Sequence, residues 1–261
     1  MIAGEPVDDL GATVEAAARL GEAAERIVVL TGAGISTDSG IPDFRGPQGV
    51  WTRDPEAGKQ STLSYYLSDP EVRKRAWLSR LDHRAWAAEP NPGHAALVAL
   101  ERRRKLSLIV TQNIDGLHQV AGSDPDRVVE IHGTMRETAC LSCGDRRSMQ
   151  STLDRVRAGE VDPPCEICGG ILKSATISFG QQLIEADVER AFEAAARCDL
   201  MLAVGSTLSV FPAANVVPIA ARAGAPVVIV NLEPTEMDPL AEVVVRGSIS
   251  EVLPAICGGG S

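Results

Sequence analysis

Six short runs are almost uninterrupted in apolar side chains: IVVL (27–30), LSLIV (106–110), VVEI (128–131), LMLAV (200–204), VVIV (227–230) and VVV (243–245). A strand with one solvated face alternates apolar and polar residues. A strand buried on both faces does not, so runs this continuous and rich in Val and Ile predict parallel strands covered on each side by helices. Helical patterns fall where that arrangement needs them. LGATVEAAARLGEAA precedes the first run, GHAALVALERRRK the second and ADVERAFEAAARC the fourth, while PAANVVPIAARAG links the fourth to the fifth. Pro212 suits a first helical turn, Pro218 is expected to kink the helix beyond it, and Ser248 and Glu251 have capping-box spacing. The expected class is α/β, an open parallel sheet with helices on both faces.

Five of the runs give way to glycine or polar residues. Thr31-Gly32-Ala33-Gly34 follows the first, Thr111-Gln112-Asn113-Ile114-Asp115 the second and His132-Gly133 the third. Gly205-Ser206-Thr207 follows the fourth and Asn231-Leu232-Glu233 the fifth. Open parallel sheets bind ligands outside the carboxyl ends of their strands. Side chains able to do chemistry therefore gather on one edge.

Two segments break the alternation. Residues 47–92 hold Trp51, Trp77, Trp86, Tyr65 and Tyr66 without a credible strand, and read as a helical insertion over the sheet. Residues 137–173 have few large apolar side chains but contain Cys140-x-x-Cys143 and Cys165-x-x-Cys168, with 21 residues between the knuckles. A piece that cannot build its own core needs a staple. Four thiolates complete a tetrahedral Zn²⁺ shell and leave no open position, so the expected metal role is structural. A redox pair would account for one knuckle and not for two. Cys198, between a helix and an apolar strand, reads as a small buried hydrophobe.

Charge and composition remove whole classes of function. A formal net charge of −10 repels duplex nucleic acid unless basic residues cluster. The one basic run, Arg102-Arg103-Arg104-Lys105, sits where a helix C-terminus favours cations. Aromatic residues are too scarce for a base-stacking platform. No run approaches the roughly 20 apolar residues of a membrane span. The N-terminal MIAGEPVDDL lacks the basic and apolar regions of a secretory signal. The expectation is a cytoplasmic protein with no membrane and no direct nucleic-acid partner.

The Gly32-Ala33-Gly34 turn can bring backbone N–H groups close to a pyrophosphate. A dehydrogenase would continue with a third glycine, a second strand and an acidic residue about 20 positions on. Here Ser36 replaces the glycine, and the next credible strand starts near Leu106. The acidic residue in range, Asp43, lies in the proline-bounded loop Ile41-Pro42-Asp43-Phe44-Arg45. Hydride transfer is a poor reading of such a site. His132 shares the polar edge with Gln112 and Asn113, and imidazole suits proton transfer near neutral pH. Taken singly, a histidine after a strand can be structural, Asp43 can cap a turn, and Arg45 can pair with a surface carboxylate. His94 is expected to begin a helix and His83 to lie on the surface.

GAGISTDSGIPDFRG, TQNIDGLH, EIHG, the paired CxxC, GSTLSVFP and VIVNLEPT occur in this order, and together they resemble the sirtuin family of NAD-dependent protein deacylases over about residues 26–250. The stretches GPQGVWT and NLEPTEMD are similar to a branch that also suits bacterial members. The resemblance implies a discontinuous Rossmann-like NAD-binding domain made of residues 1–48, 92–136 and 174–261. A small lobe would combine a helical insertion, 49–91, with a zinc-ribbon module, 137–173. It implies that NAD⁺ is spent: the acyl oxygen of an acyl-lysine attacks the anomeric carbon, nicotinamide leaves and an alkylimidate forms. His132, as general base on a ribose hydroxyl, would then drive the attack that leads to lysine and O-acyl-ADP-ribose.

The same resemblance assigns further roles. Asn113, beside His132, and Asp115 would hold the ribose and nicotinamide ends, with Gln112 next to them. Asp43 and Ile114 would meet the carboxamide. Ser36, Thr37, Phe44 and Arg45 belong to the loop expected on phosphate and ribose, beyond the Gly32-Ala33-Gly34 turn. Gly205, Ser206 and Thr207 would cradle phosphate, Asn231, Leu232 and Glu233 the adenosine ribose, and Ile249 would lie near the adenine. Phe179-Gly180 and Ser209-Val210 would pair with the substrate peptide as an added strand. The implied partners are acylated protein lysines, acyl-CoA synthetases among them. His118, in the NIDGLH stretch, would be structural.

Three departures bear on substrate choice. Lys173-Ser174 stands where the family usually has Arg-Pro, and Phe179-Gly180-Gln181 where it often has Phe-Gly-Glu. Members that remove succinyl or malonyl groups carry Tyr-x-x-Arg, and the nearest candidate here is Trp77-x-x-Arg80. A buried Trp with a solvated Arg is an equally good reading of that pair, and acetyl is the first expectation. The alternatives are a desuccinylase or demalonylase preference, a mono-ADP-ribosyltransferase on the same scaffold, and a non-enzymatic NAD-sensing module.

Overall fold

The computed structural model describes residues 9–43 and 57–258. Asp9 accepts a hydrogen bond from the Gly11 N–H and caps α1 (Leu10–Ala23). Strand β1 (Ile27–Thr31) comes next and runs into a 3₁₀ helix, Ala33–Ser39. It is succeeded by α2 (Ala57–Gln60), α3 (Leu63–Ser68), α4 (Pro70–Leu81) and α5 (Pro92–Arg102). The middle of the chain forms β2 (Leu106–Thr111), α6 (Leu117–Ala121), β3 (Val128–Glu130), β4 (Gly133–Cys140), β5 (Arg146–Ser148), α7 (Met149–Arg157) and β6 (Leu172–Thr176). The chain ends through α8 (Glu185–Arg197), β7 (Leu200–Val204), α9 (Val216–Arg222), β8 (Val227–Val230), β9 (Val243–Val245) and α10 (Ile249–Ile256).

All six apolar runs join one parallel sheet, in the order β3-β2-β1-β7-β8-β9. Alternate residues enter opposite cores, as the two-residue period of a strand dictates. Ile27, Val29, Ile109, Leu202 and Val228 pack with Ala17 of α1, Leu97 of α5 and Leu253 of α10. Val28, Leu30, Val110, Met201 and Ile229 pack with Ala191 of α8 and Val217 of α9. Helices thus cover both faces, and that is why the strands carry no polar alternation.

The basic run after α5 is internal wiring. Arg103 donates to the Cys257 carbonyl and pairs with Glu22, and the Lys105 ammonium donates to the carbonyls of Glu22 and Ala24. Two local expectations are corrected. Ser248 begins α10, but its side chain makes no cap bond. Pro218 falls in the first turn of α9, where its missing N–H has no helical partner to lose.

The segment around the cysteines holds more order than its sequence shows. Strands β5, β4 and β6 form a separate antiparallel sheet, and β4 and β6 run through the expected boundaries at 136/137 and 173/174. Its core is shared. Trp77 of α4 packs with Met149, Leu153 and Val156 of α7, Leu172 of β6, Cys140 and Cys165, with Leu81 and Trp86 against them. Trp51 and the start of the helical insertion lie outside the described residues.

Candidate active site

Strands β1 and β7 are sequence-distant neighbours from which the chain winds in opposite directions. Such a switch point opens a crevice at the carboxyl ends of the strands. Two turns meet there. The Gly34 N–H donates to the Gly205 carbonyl at 2.8 Å, and the Gly32 N–H to the Val204 carbonyl at 3.0 Å. A Cβ on Gly32 would lie 2.6 Å from the Gly205 oxygen, and one on Gly34 2.6 Å from the Gly205 Cα. These glycines are therefore required first by backbone packing on backbone, and only then leave room for a ligand. Gly205 itself has φ 62° and would set a Cβ 2.6 Å from the Ile35 nitrogen. The Gly205→Ala variant is expected to lose about 2–5 kcal/mol, from left-handed strain and overpacking together. A fall in the urea midpoint at unchanged slope would measure it.

A cavity of about 1330 Å³ opens from this crevice toward the small lobe. Of the expected residues, Ala33, Gly34, Thr37, Asp43, Gln112, Asn113, Ile114 and His132 line its first half. Gly205, Ser206, Thr207, Asn231, Leu232, Glu233 and Ile249 line it beyond β7 and β8, and Phe179, Gly180 and Val210 also line it. Phe44 and Arg45 lie outside the described residues.

Four other expected residues are not part of this lining. Gly32 lies beneath the cavity, under the Gly205 turn. Ser36 and Asp115 are buried behind the wall: the Ser36 hydroxyl donates to Asp115 Oδ2 at 2.9 Å, and Asp115 Oδ1 accepts the Leu117 N–H at 2.9 Å. Both residues orient the wall instead of forming it. Ser209 is exposed and shares a 2.8 Å hydrogen bond with the Thr207 hydroxyl.

Asn113 and His132 are held from behind. The Asn113 side-chain amide donates to the Gly32 carbonyl at 3.1 Å and to the Ser36 hydroxyl at 3.2 Å, which directs its carbonyl oxygen away from both. His132 Nδ1 lies 3.0 Å from the Gln112 carbonyl. A carbonyl only accepts, so the bond sets Nδ1 as the protonated nitrogen and Nε2 as the basic one. His132 also accepts, through its carbonyl, the Ile177 N–H at 2.7 Å, which fixes its backbone to the chain leaving β6. His118 and His94 have other duties. His118 Nε2 lies 2.9 Å from the Thr31 hydroxyl, and burial, with His94 adding to it, holds its imidazole down to about 3. His94 completes a capping box with Asn91 at the start of α5, and His83 is exposed.

Phe179, one of the residues expected to pair with peptide, has main-chain partners within the chain. The Phe179 N–H donates to the Ser61 carbonyl at 2.8 Å, and its own carbonyl accepts the Leu63 N–H at 3.0 Å. Those main-chain groups tie Phe179 to the segment that opens α3. Several lining residues carried no functional signal in the sequence, among them Gln60 and Ser61 beside α3 and Glu189 and Phe192 of α8. Of the Trp77-x-x-Arg80 pair, Arg80 is half-buried and lines the cavity, whereas Trp77 is fully buried and does not line it.

The four paired cysteines form a second centre, outside the lining of the cavity. Their sulfurs lie within 4.8 Å of one another, with Cys140 Sγ 3.5 Å from Cys168 Sγ and Cys143 Sγ 3.7 Å from Cys165 Sγ. Tetrahedral Zn–S bonds of about 2.3 Å place sulfurs about 3.8 Å apart, whereas a disulfide would place them at about 2 Å. The Ser142 and Cys143 N–H groups point at Cys140 Sγ, at 3.4 and 3.5 Å, as a thiolate requires. The donor set fits one Zn²⁺ with no ligand position left for catalysis.

Comparison with known proteins agrees with this geometry. A model described as the Sir2 family matches residues 32–212. NAD-dependent protein deacetylase 2 of Streptomyces coelicolor is 49% identical over 233 residues, which cover 89% of this chain and 97% of that protein. NAD-dependent protein deacetylase 1 of Bradyrhizobium diazoefficiens is 40% identical over 252 residues, 96% of this chain and 97% of that one. A solved structure described as "Structural Basis for the Mechanism and Regulation of Sir2 Enzymes" superposes with a TM-score of 0.83 at 40% identity, covering 95% of this chain and 96% of that one. Another, "Sir2 bound to acetylated peptide", gives a TM-score of 0.83 at 30% identity, over 95% and 99% of the two chains.

Proposed function

The chain belongs to the Sir2 family, and on that premise we infer that it is an NAD-dependent protein deacetylase that works through His132 and Asn113. One observation carries the assignment of roles. His132, its tautomer set by the Gln112 carbonyl, lines the same cavity as the glycine turns and the Asn231–Glu233 loop. NAD⁺, as co-substrate, supplies an anomeric carbon that accepts the acyl oxygen and a nicotinamide that leaves.

The chain's own residues do the rest. His132 Nε2 takes the proton of a ribose hydroxyl, because Nδ1–H is committed to the carbonyl behind it. Asn113 presents its side-chain oxygen to the ribose and carboxamide end, with Ile114 and Asp43 beside it. The turns at Ala33–Gly34 and Gly205–Thr207 flank the phosphates; the Gly34 and Gly205 N–H groups are already given to the carbonyls of Gly205 and Val230, so the donors assigned to phosphate are the N–H groups of Ser206 and Thr207. Asn231, whose amide donates to the Glu233 carbonyl at 2.7 Å, shapes the loop assigned to the adenosine ribose. Arg246 braces that loop by donating to the carbonyls of Asn231 and Glu233. The zinc site holds the lobe that closes the far wall.

Acylated protein lysines are the substrates, and acyl-CoA synthetases are the proposed targets among them. A cytoplasmic location fits the reduced, metal-ready cysteines. Among the described residues no helix is long and apolar enough to cross a membrane.

The test mixes the protein with NAD⁺ and acetyl- and propionyl-lysine peptides, with products read by mass spectrometry. Equal amounts of nicotinamide, free lysine peptide and O-acyl-ADP-ribose are expected. ADP-ribose left on protein, with no acyl-dependent nicotinamide release, would point to the transferase instead.

A further inference from the structure

The loop between β2 and α6 brings Asn113 and Ile114 to the cavity. Asn113 is tied from the β1 side, through the Gly32 carbonyl and the Ser36 hydroxyl. The next two carbonyls are tied from β4. The Met135 N–H donates to the Ile114 carbonyl at 2.9 Å, and Arg136 Nε donates to the Asp115 carbonyl at 2.8 Å. Gly116 follows at φ 73°, where the backbone has no Cβ to limit its rotation. Arg136 occupies the space a side chain would take there: a Cβ on Gly116 would lie 3.1 Å from Arg136 Nε and 3.2 Å from its Cγ. The side chain that lies on the loop's most pliable residue therefore also holds the carbonyl before it.

Arg136 is itself held from the small lobe. Its guanidinium lies 5.5 Å from the centre of the Trp86 ring, within the range of a cation on an aromatic face. Trp86 ends the single turn Arg84–Trp86, packs against the core of the small lobe, and donates its indole N–H to the Arg80 carbonyl at 2.6 Å. A short amide or hydroxyl would serve one carbonyl as well. A long planar cation reaches the carbonyl with Nε and the indole with its far end. The adenosine side is braced without the lobe. The Gly205 turn is bonded to Gly34 and Val230, and the Asn231–Glu233 loop to Arg246.

We propose that Arg136 is a positioning residue for the reaction: it ties the Ile114–Gly116 turn to the small lobe through Trp86, so that the nicotinamide end of the co-substrate depends on the lobe and the adenosine end does not. The proposal rests on the deacylase assignment, in which Ile114 meets the carboxamide, and adds to it a residue that does not line the cavity.

Calorimetry compares NAD⁺ with ADP-ribose, which lacks the nicotinamide. It uses the wild-type protein and the Arg136→Met, Arg136→Gln, Trp86→Leu and Arg136→Met/Trp86→Leu variants. Arg136→Met keeps an unbranched stem and loses the donor. It is expected to lower NAD⁺ affinity, and kcat/KM for NAD⁺, by about fivefold to tenfold, and to leave ADP-ribose affinity within about twofold. The loss stays moderate because the Asp115 carboxylate keeps its own bonds to Ser36 and Leu117. Gln sets an N–H where Arg has Nε, so Arg136→Gln is expected to recover most of the loss. Trp86→Leu should weaken NAD⁺ alone by about threefold, and should add nothing in the Arg136→Met background, because the two residues act as one unit. NAD⁺ and ADP-ribose weakened alike in Arg136→Met, or NAD⁺ affinity unmoved, overturns the proposal. Additive losses in the double variant would overturn the link to the lobe. Should Arg136→Met not fold, Trp86→Leu decides: a loss confined to NAD⁺ supports the link, and no loss removes it. A shifted NAD⁺-to-ADP-ribose ratio in a protein that deacylates no peptide would sink the deacylase assignment and leave the link standing. Deacylation with an unmoved ratio would do the reverse.

Discussion

The His132→Ala variant is expected to lose about 10²–10⁴-fold in acyl-lysine turnover while still binding NAD⁺. The imidazole is only half-buried and its Nδ1 faces the Gln112 carbonyl, an oxygen that water can serve once the ring is removed. The glycine turns, Asn113 and the Asn231–Glu233 loop keep their own hydrogen bonds, so nucleotide affinity by calorimetry should change little. A large loss of affinity together with turnover would mean that His132 acts in binding. Turnover within a few-fold of wild type would remove it from proton transfer altogether.

Stripping the zinc is expected to have the larger structural effect. Structural Zn²⁺ contributes about 10–16 kcal/mol in small zinc-finger peptides. The lobe's core is a handful of side chains, and two of its buried members, Cys140 and Cys165, are themselves metal donors. Without the metal, these thiols have no tetrahedral partner and the β4–β5–β6 sheet loses its staple. The six-stranded sheet has separate cores on its two faces and should survive. Chelation, or Cys165→Ser, should therefore abolish deacetylation and expose the tryptophans of the lobe, while most far-ultraviolet dichroism remains. Zinc release by a colorimetric chelator, tryptophan emission and activity should change together. Full activity in protein with no measurable zinc would refute a structural role.

The large sheet was legible because burial on both faces leaves a local mark: each strand is apolar at nearly every position. The small sheet left no such mark. GTMRETAC in β4 is a short polar-apolar mixture, and what makes it a strand is pairing with β6 and β5, with the cysteine cluster at its end. At the site, the strand ends were readable because each is a break from apolar to polar. Which layer of the wall a residue occupies was not. Ser36 and Asp115 sit one hydrogen bond behind the cavity because β1 and β2 are adjacent, a fact of strand order rather than of spacing. Gly32 and Gly34 looked like space for a ligand, and the first object to fill that space is Gly205. The main-chain ties of Phe179 to Ser61 and Leu63 join distant parts of the chain and leave no local pattern.

The shared core of the small lobe has a consequence for anyone who wishes to cut the molecule. Trp77 arrives from the connection between β1 and β2, whereas the zinc knuckles arrive between β3 and β7. No single contiguous fragment carries both without the sheet strands between them. A gene fragment encoding residues 133–176 would yield a ribbon whose hydrophobic side lacks its tryptophan lid. The reverse deletion would leave α4 displaying an indole to water. The lobe is one object in space and two in the gene, so it can be exchanged between relatives only as a matched pair of segments.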